Sequence, residues 1–399
     1  MFAKSIFALG FLYVSSFAIS FEALTQKALA QNDAIASLQK ESLVAGQDIL
    51  LAQKWSNPVL SIGANDILFD DIGARDLEPM QAVFVAISQL IPLGKKLEYQ
   101  TQIASIVQKI AQTKLEDAKL KLVSSIYANG YDLLIAQKKF ALLEGFEQNL
   151  QELQTVLLAL YENSNANQVA SLQVQLLRSN LQIQKENIRS KIATLQLNLE
   201  QLSYEKNIAL EADLSLEKAF LVPQNLSTHP FIQSIEFAIK KYNTLAQLEE
   251  EKKHSDLRVN FGYFSRDAKY KDYANLSFSM PLAIYGTEDV LRVKAKYQSS
   301  QALDVLHKTK QVFKTNFEML QVSMATAFAN YQNLLTSMVP QRNFIQESLA
   351  LHNALGHNSV VDLIKNFNEI ITLQLLGVDE MQKYFNAYAQ SIYYTGIPQ

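Results

Sequence analysis

From Ala82 to Ile91 apolar and small polar positions alternate: Val83, Val85 and Ile87 share one parity, Ala86 and Ser88 the other. That is the pattern of a strand with two unlike faces. Beyond Pro92-Leu93-Gly94 the apolar spacing changes to threes and fours, and no Pro interrupts the chain between Gly94 and Tyr161. A helix of that extent would run to roughly 100 Å at about 1.5 Å per residue, too long for a compact globule.

The same grammar recurs. Strands are expected at 57–66, 80–91, 256–265 and 273–281, and long helices at 94–161, 168–206, 287–355 and 359–395, with Pro340 as an expected kink. A shorter helix opens each half, Phe21 to Lys54 and Pro230 to His254. Asn57-Pro-Val-Leu-Ser-Ile-Gly63 can be laid over Asp256-Leu-Arg-Val-Asn-Phe-Gly262, the strand ending at Ile91-Pro92 over the one ending at Met280-Pro281, and Leu160 to Ser164 over His352 to Gly356. The offset stays at roughly 190 to 200 residues, so the chain divides into a leader at 1–20, one architectural repeat at 21–222 and another at 223–399, with Glu211 to Thr228 as the linker stretch.

Helical seams follow from the spacing. Phe313, Phe317, Leu320, Met324, Ala327, Tyr331 and Leu334 form one, and Phe146, Leu150, Leu153, Leu157 and Leu160 another. The returning helices carry Ile188, Ile192, Leu195, Leu199 and Leu202, then Leu363, Phe367 and Ile370. These are coiled-coil stripes. Reversals at Glu162 to Asn167 and Gly356 to Ser359 make each pair an antiparallel hairpin with one tip. The fold class is mainly α with a small β part.

Sorted by parity, Leu60 and Ile62, Val83, Val85 and Ile87, Val259 and Phe261, and Leu276 and Phe278 fall on apolar faces. Asn260, Ser277 and Ser279 fall on polar ones. Such strands fit a soluble two-sided sheet, or a barrel wall with lipid on one side and water on the other. Four strands cannot close a barrel alone; three copies of the chain would supply twelve.

Composition narrows the field. A formal charge of −3 and the lack of any long basic run argue against nucleic acid as a partner. Zero Cys excludes disulfides, thiolate sites and a lipoprotein attachment point. Lys4, the apolar run Ile6 to Ile19 and the small residues of Ala18-Ile19-Ser20 read as an export signal cleaved near Ser20. The five His, at 229, 254, 307, 352 and 357, are scattered, and the acidic stretch Asp66 to Glu78 matches no cation-loop spacing. No phosphate loop, nucleophile elbow or zincin motif occurs. The expectation is a protein that is not an enzyme, with no cofactor, catalytic residue or metal site.

Trp55-Ser-Asn-Pro58, Ser88-Gln-Leu-Ile-Pro-Leu-Gly-Lys95 and the two tips together resemble the TolC-type outer-membrane efflux protein family, over nearly all of the chain after the leader. The family favours, at each tip, Gly, a polar residue three on, Asp six on and Leu eight on, then Gln at eleven. Gly356, Ser359, Asp362, Leu363 and Ile364 follow it in the second half; in the first, Ser164 replaces Gly and Ala170 replaces Asp, while Asn167, Leu172 and Gln175 fit. The resemblance implies a homotrimer whose twelve strands form one barrel in the outer membrane of a Gram-negative bacterium and whose helices form a periplasmic tunnel. It implies a periplasmic adaptor protein docking at the tips, an inner-membrane pump of the RND type, and outer-membrane lipid around the barrel. Drug or metal efflux and type I protein secretion both fall within it; a soluble or surface coiled-coil structural protein is the alternative outside it. The family's gate departs here. Asn353 and Asn358 stand where a gating Tyr and Arg are found, and the aperture acids become Asp362 and Lys365, which implies a mixed-charge ring. The polar strand faces would make a wet, unselective wall.

Overall fold

The computed structural model describes residues 19–73, 75–162, 168–218, 226–343 and 360–396. In chain order the elements are α1 (Phe21–Gln31), α2 (Asp33–Ala52), β1 (Val59–Asn65), β2 (Ala82–Ile91), α3 (Lys96–Glu162), α4 (Gln168–Ser203), a 3-10 turn (Leu226–Thr228), α5 (Pro230–Glu251), β3 (Leu257–Ser265), β4 (Tyr273–Ser279), α6 (Thr287–Asn333), a π turn (Leu334–Met338) and α7 (Val360–Thr395). The chain resolves into two compact units. One comprises Met1–Ala36, Ala118–Leu226 and Val312–Gln399, the other Ser37–Asp117 and Ser227–Gln311, so each draws on both halves of the sequence.

The first unit is helical, and its core follows the expected stripes. Leu143, Phe146 and Leu150 of α3 bury against Val174 and Leu181 of α4 and Ile364 and Ile371 of α7. Phe313, Phe317, Met324, Ala327 and Leu334 are buried, as are Leu195 and Leu199. An aromatic cluster adds to this. Phe21 stacks on Tyr127 at 4.6 Å between centroids, and Tyr131 stacks on Phe385 at 4.4 Å. Gly130 makes room for it: a Cβ there would stand 2.2 Å from the Phe21 ring. Any larger residue at position 130 would displace the ring from α3.

Two expectations change. The helix read as continuous from Phe21 to Lys54 breaks at Asn32. Its Oδ1 accepts from the Ala34 and Ile35 N–H groups, while its Nδ2 donates to the Leu202 carbonyl. An Asn side chain that satisfies the orphan amides of a new helix start competes with helix continuation. The expected kink at Pro340 takes the form of the π turn just before it, where the Val339 N–H reaches back to the Leu334 carbonyl. Widening the turn accommodates a proline that lacks an N–H and crowds the carbonyl four residues back, and the helix continues to residue 343.

The second unit holds the sheet. Its order is β1-β2-β3-β4, antiparallel throughout, and the β2–β3 pair joins the two halves of the sequence. β1 and β4 are edges left unpaired among the described residues.

Candidate functional site

The register decides which strand residues meet. Leu60 pairs with Ile87, Ile87 with Phe261 and Phe261 with Leu276. Ile62 pairs with Val85, and Val259 with Phe278. With Val83, all nine expected apolar positions therefore share one face of one sheet. That face is uncovered: Leu60 is 63 % exposed, Ile62 71 %, Leu276 61 % and Phe278 62 %. A continuous apolar surface of this kind marks an interaction with another apolar phase or partner.

Asn260 pairs with Ser88 on one side and Ser277 on the other, and Ser279 pairs with Arg258. These lie on the opposite face, where Asn260 Nδ2 donates to Ser277 Oγ at 3.3 Å. Toward the hairpin loops the polar face changes character. Phe84 pairs with Phe264 and Phe264 with Tyr273, so three rings cross three strands side by side. Phe264 and Tyr273 are parallel at 4.7 Å, and Phe84 stands 5.3 Å from Phe264. Two glycines of the same face make the space. A Cβ at Gly63 would come within 2.8 Å of the Phe84 ring, and one at Gly262 within 2.9 Å of the Phe264 ring. The sequence reading missed this group, although Phe84 and Phe264 sit at the parity of Ser88 and Asn260.

The loops beyond the rings are tied. Buried Gln81 accepts from the Leu77 and Glu78 N–H groups and donates to the Asp66 carbonyl. Arg266 donates to the Pro79 carbonyl of the first loop and the Lys271 carbonyl of the second, and its guanidinium lies 5.0 Å from the Tyr273 ring centre. Asp272 accepts from the Arg266 N–H at 2.7 Å.

At the other end of the sheet, strand turns into helix. Gly94 has φ +72°, a conformation that costs an ordinary residue about 1–2 kcal/mol. The Leu93 N–H donates to Asp256 Oδ1 at 3.1 Å and the Lys95 N–H to Glu251 Oε2 at 3.1 Å. Buried Lys96 reaches the same Asp256 oxygen at 2.5 Å. Two carboxylates from the second half of the sequence thus receive amides that precede α3, at the end of the helix dipole where negative charge is favoured. The second half repeats the turn: Pro281-Leu282 leads to Gly286 with φ +70° and then to α6. There Asp289 bonds Lys253 at 2.8 Å and Arg292 at 3.1 Å. Its hydrogen bond from Lys253 holds the Asp289 carboxyl below the usual carboxylate range.

Of the expected tip residues, Ser164, Asn167, Asn353, Gly356, Asn358 and Ser359 lie outside the described residues, and so does Glu162-to-Asn167 beyond its first residue. Leu172 and Gln175 stand exposed near the start of α4, and Lys365 stands exposed in α7 between buried Ile364 and Asn366. Asp362 and Leu363 belong to the first turn of α7. Among the described residues no cluster of three metal-type side chains occurs, and no helix is long and apolar enough to cross a membrane. His229 has a structural place: it caps α5, accepting the Phe231 N–H at its Nδ1.

No protein-family model and no curated sequence matches the chain. Solved structures do. The Campylobacter jejuni CmeC outer membrane channel is 14 % identical with a TM-score of 0.78, over 94 % of this chain and 85 % of that one. A membrane protein from Pseudomonas aeruginosa is 12 % identical with a TM-score of 0.80, over 94 % and 93 %. The outer membrane protein VceC from Vibrio cholerae is 11 % identical with a TM-score of 0.77, over 94 % and 96 %. Two hairpins joined through β2 and β3, two glycine switches into long helices and this likeness along nearly the whole chain give one conclusion: the chain has the fold of the TolC-type outer-membrane efflux channels.

Proposed function

We propose that this chain is the outer-membrane exit duct of a tripartite efflux system and works as a homotrimer. The observation that carries the reading is the sheet. It has an uncovered apolar face, an opposite face bearing Asn260, Ser277 and Ser279, and two unpaired edges. Closing three such sheets edge to edge removes the edges, turns the apolar positions to lipid and encloses the polar ones around water. The helices also expose apolar residues, among them Tyr297, Val290, Val322 and Leu176, which neighbouring subunits would cover. Each half of the sequence, 21–222 and 223–399, would supply one hairpin and one pair of long helices, behind a cleaved signal at 1–20.

A duct does no bond chemistry. It opens when a partner binds the dilated tips better than the closed ones and shifts the population. The periplasmic adaptor would meet the tips around Ser164, Asn167, Leu172, Gln175, Gly356, Ser359 and Leu363, and an inner-membrane pump of the RND type would supply the energy. Asn353, Asn358, Asp362 and Lys365 would line the aperture, where three lysines would offset three aspartates. Lys365→Glu should therefore create block by trivalent cations in single-channel recordings; unchanged block would dismiss the mixed-charge ring.

The reading as a whole is tested by deleting the gene and profiling sensitivity to drugs, bile salts and divalent metals. A several-fold loss of resistance to at least one class, restored by the gene in trans, is expected. Unchanged resistance together with loss of a secreted protein would assign the duct to protein secretion instead.

A further inference from the structure

The polar face of the sheet is not uniform, and this inference rests on the duct reading just given. Phe84, Phe264 and Tyr273 lie on the same face as Asn260 and Ser277, displaced toward the hairpin loops. The rings are only half-buried, so they occupy space in front of the sheet. Their positions are fixed from three sides. Gly63 and Gly262 lie behind the Phe84 and Phe264 rings. The rings also brace one another across the strands. Arg266 covers Tyr273 while bonded to carbonyls of both loops, which stops the outer ring from swinging away. If the Asn260 face encloses the lumen, three copies bring nine rings to one level of it, on the loop side. That side is the outer mouth, because the helices leave from the other end of the sheet.

We propose that Phe84, Phe264 and Tyr273, locked by Arg266, form an aromatic collar in the lumen near the outer mouth that narrows the duct and filters solutes by size. A ring standing where the rest of the face has Ser, Asn or Gly projects farther into the pore than its neighbours. A fixed ring narrows a pore where a mobile side chain would yield. The collar would limit entry of bulky solutes from outside while the helical tips control the inner end. An apolar constriction of this kind also hinders water and ions more than a polar wall of the same width does.

The chain has no Cys, so single reporter thiols are unambiguous. Asn260 lies four residues nearer the helices than Phe264, about 13 Å along the strand at roughly 3.3 Å per residue. Asn260→Cys is therefore placed inside the collar, and its reaction with externally added maleimides is followed on whole cells. One reagent is small and hydrophilic, the other carries a bulky polar group. The small reagent should react readily and the bulky one slowly. In the Phe84→Ala/Phe264→Ala/Tyr273→Ala background the bulky reagent should accelerate several-fold, with the small one unchanged. If that background fails to assemble, Phe264→Leu, which keeps an apolar group beside Gly262, should give a smaller acceleration. Equal rates for both reagents before and after ring removal would overturn the collar and leave the duct intact. A thiol at 260 that the small hydrophilic reagent never reaches, while Leu276→Cys reacts with it, would overturn the duct reading itself.

Discussion

The aromatic cluster of the helical unit and the aromatic row of the sheet are built by the same device and end in opposite states. In each, a glycine gives up its side chain so that a ring can approach the backbone: Gly130 for Phe21, Gly63 for Phe84 and Gly262 for Phe264. In the helical unit the ring is then enclosed, with Phe21 only 6 % exposed among Tyr127, Tyr131 and Phe385. In the sheet the rings stay half-exposed, and the apolar face behind them is bare. The helical unit encloses its aromatic cluster within one chain. The sheet leaves its apolar face bare, and on the proposed duct reading other subunits and lipid would cover it.

The largest effect that separates the two regions comes from ring removal. Phe21→Ala should cost about 3–5 kcal/mol, as loss of a buried aromatic does, and lower the thermal melting point of the helical signal in circular dichroism. Phe264→Ala should leave that melt nearly unchanged and be read only in solute access. Next comes the switch. Asp256→Ala strands the buried Lys96 ammonium and the Leu93 N–H, which should cost about 2–3 kcal/mol and expose the Pro92–Lys96 turn to protease. Asp256→Asn should recover part of that loss, because its amide oxygen can still accept.

Smaller still is the effect of adding one carbon. Gly130→Ala gains about 1 kcal/mol of helix propensity but drives a methyl into Phe21, and overpacking of about 1–3 kcal/mol should leave the melt lower. Gly262→Ala should cost less, since the Phe264 ring that the new methyl would meet at 2.9 Å is half-exposed and contributes less buried area than Phe21 does. Melting both variants side by side checks whether enclosure, and not the glycine itself, sets the penalty.

A further effect, confined to alkaline conditions, is in pH. Burial, then the neighbouring Tyr388, raises the Tyr127 phenol from 10.0 to about 12 and pushes Tyr131 higher. A raised phenol pKa means that the folded state holds its proton where the unfolded chain has released it. The contribution is therefore whole below pH 10 and lost as pH climbs from there through the folded values. The stability of the helical signal should fall above pH 10, and Tyr127→Phe/Tyr131→Phe should flatten that fall. An unaltered alkaline slope in a urea titration would count against the cluster as its source.

Much of this fold was legible because periodicity is a local property. The alternation at Val83, Val85 and Ile87, the stripe at Phe313, Phe317 and Met324, and the turn at Gly94 each write their geometry into neighbouring residues. What escaped depended on partners far away in the chain. Nothing near Asp256 announces that it will receive the Leu93 N–H, and nothing near Gly130 announces Phe21. The break at Asn32 was hidden because Asn is tolerated inside helices and becomes a cap only when a group such as the Leu202 carbonyl engages its amide. The collar had a signal that parity sorting could have caught: two Phe residues on the wrong face of amphipathic strands, each paired with or two residues from a glycine.

The claim beneath all of this is that four strands per chain are completed by two more copies in a membrane. The most direct test is native mass spectrometry of the protein extracted from outer membranes in mild detergent. A trimer that loses its strand signal when the detergent is withdrawn is the predicted result. A folded monomer, soluble without detergent and keeping its full strand signal, would contradict the account.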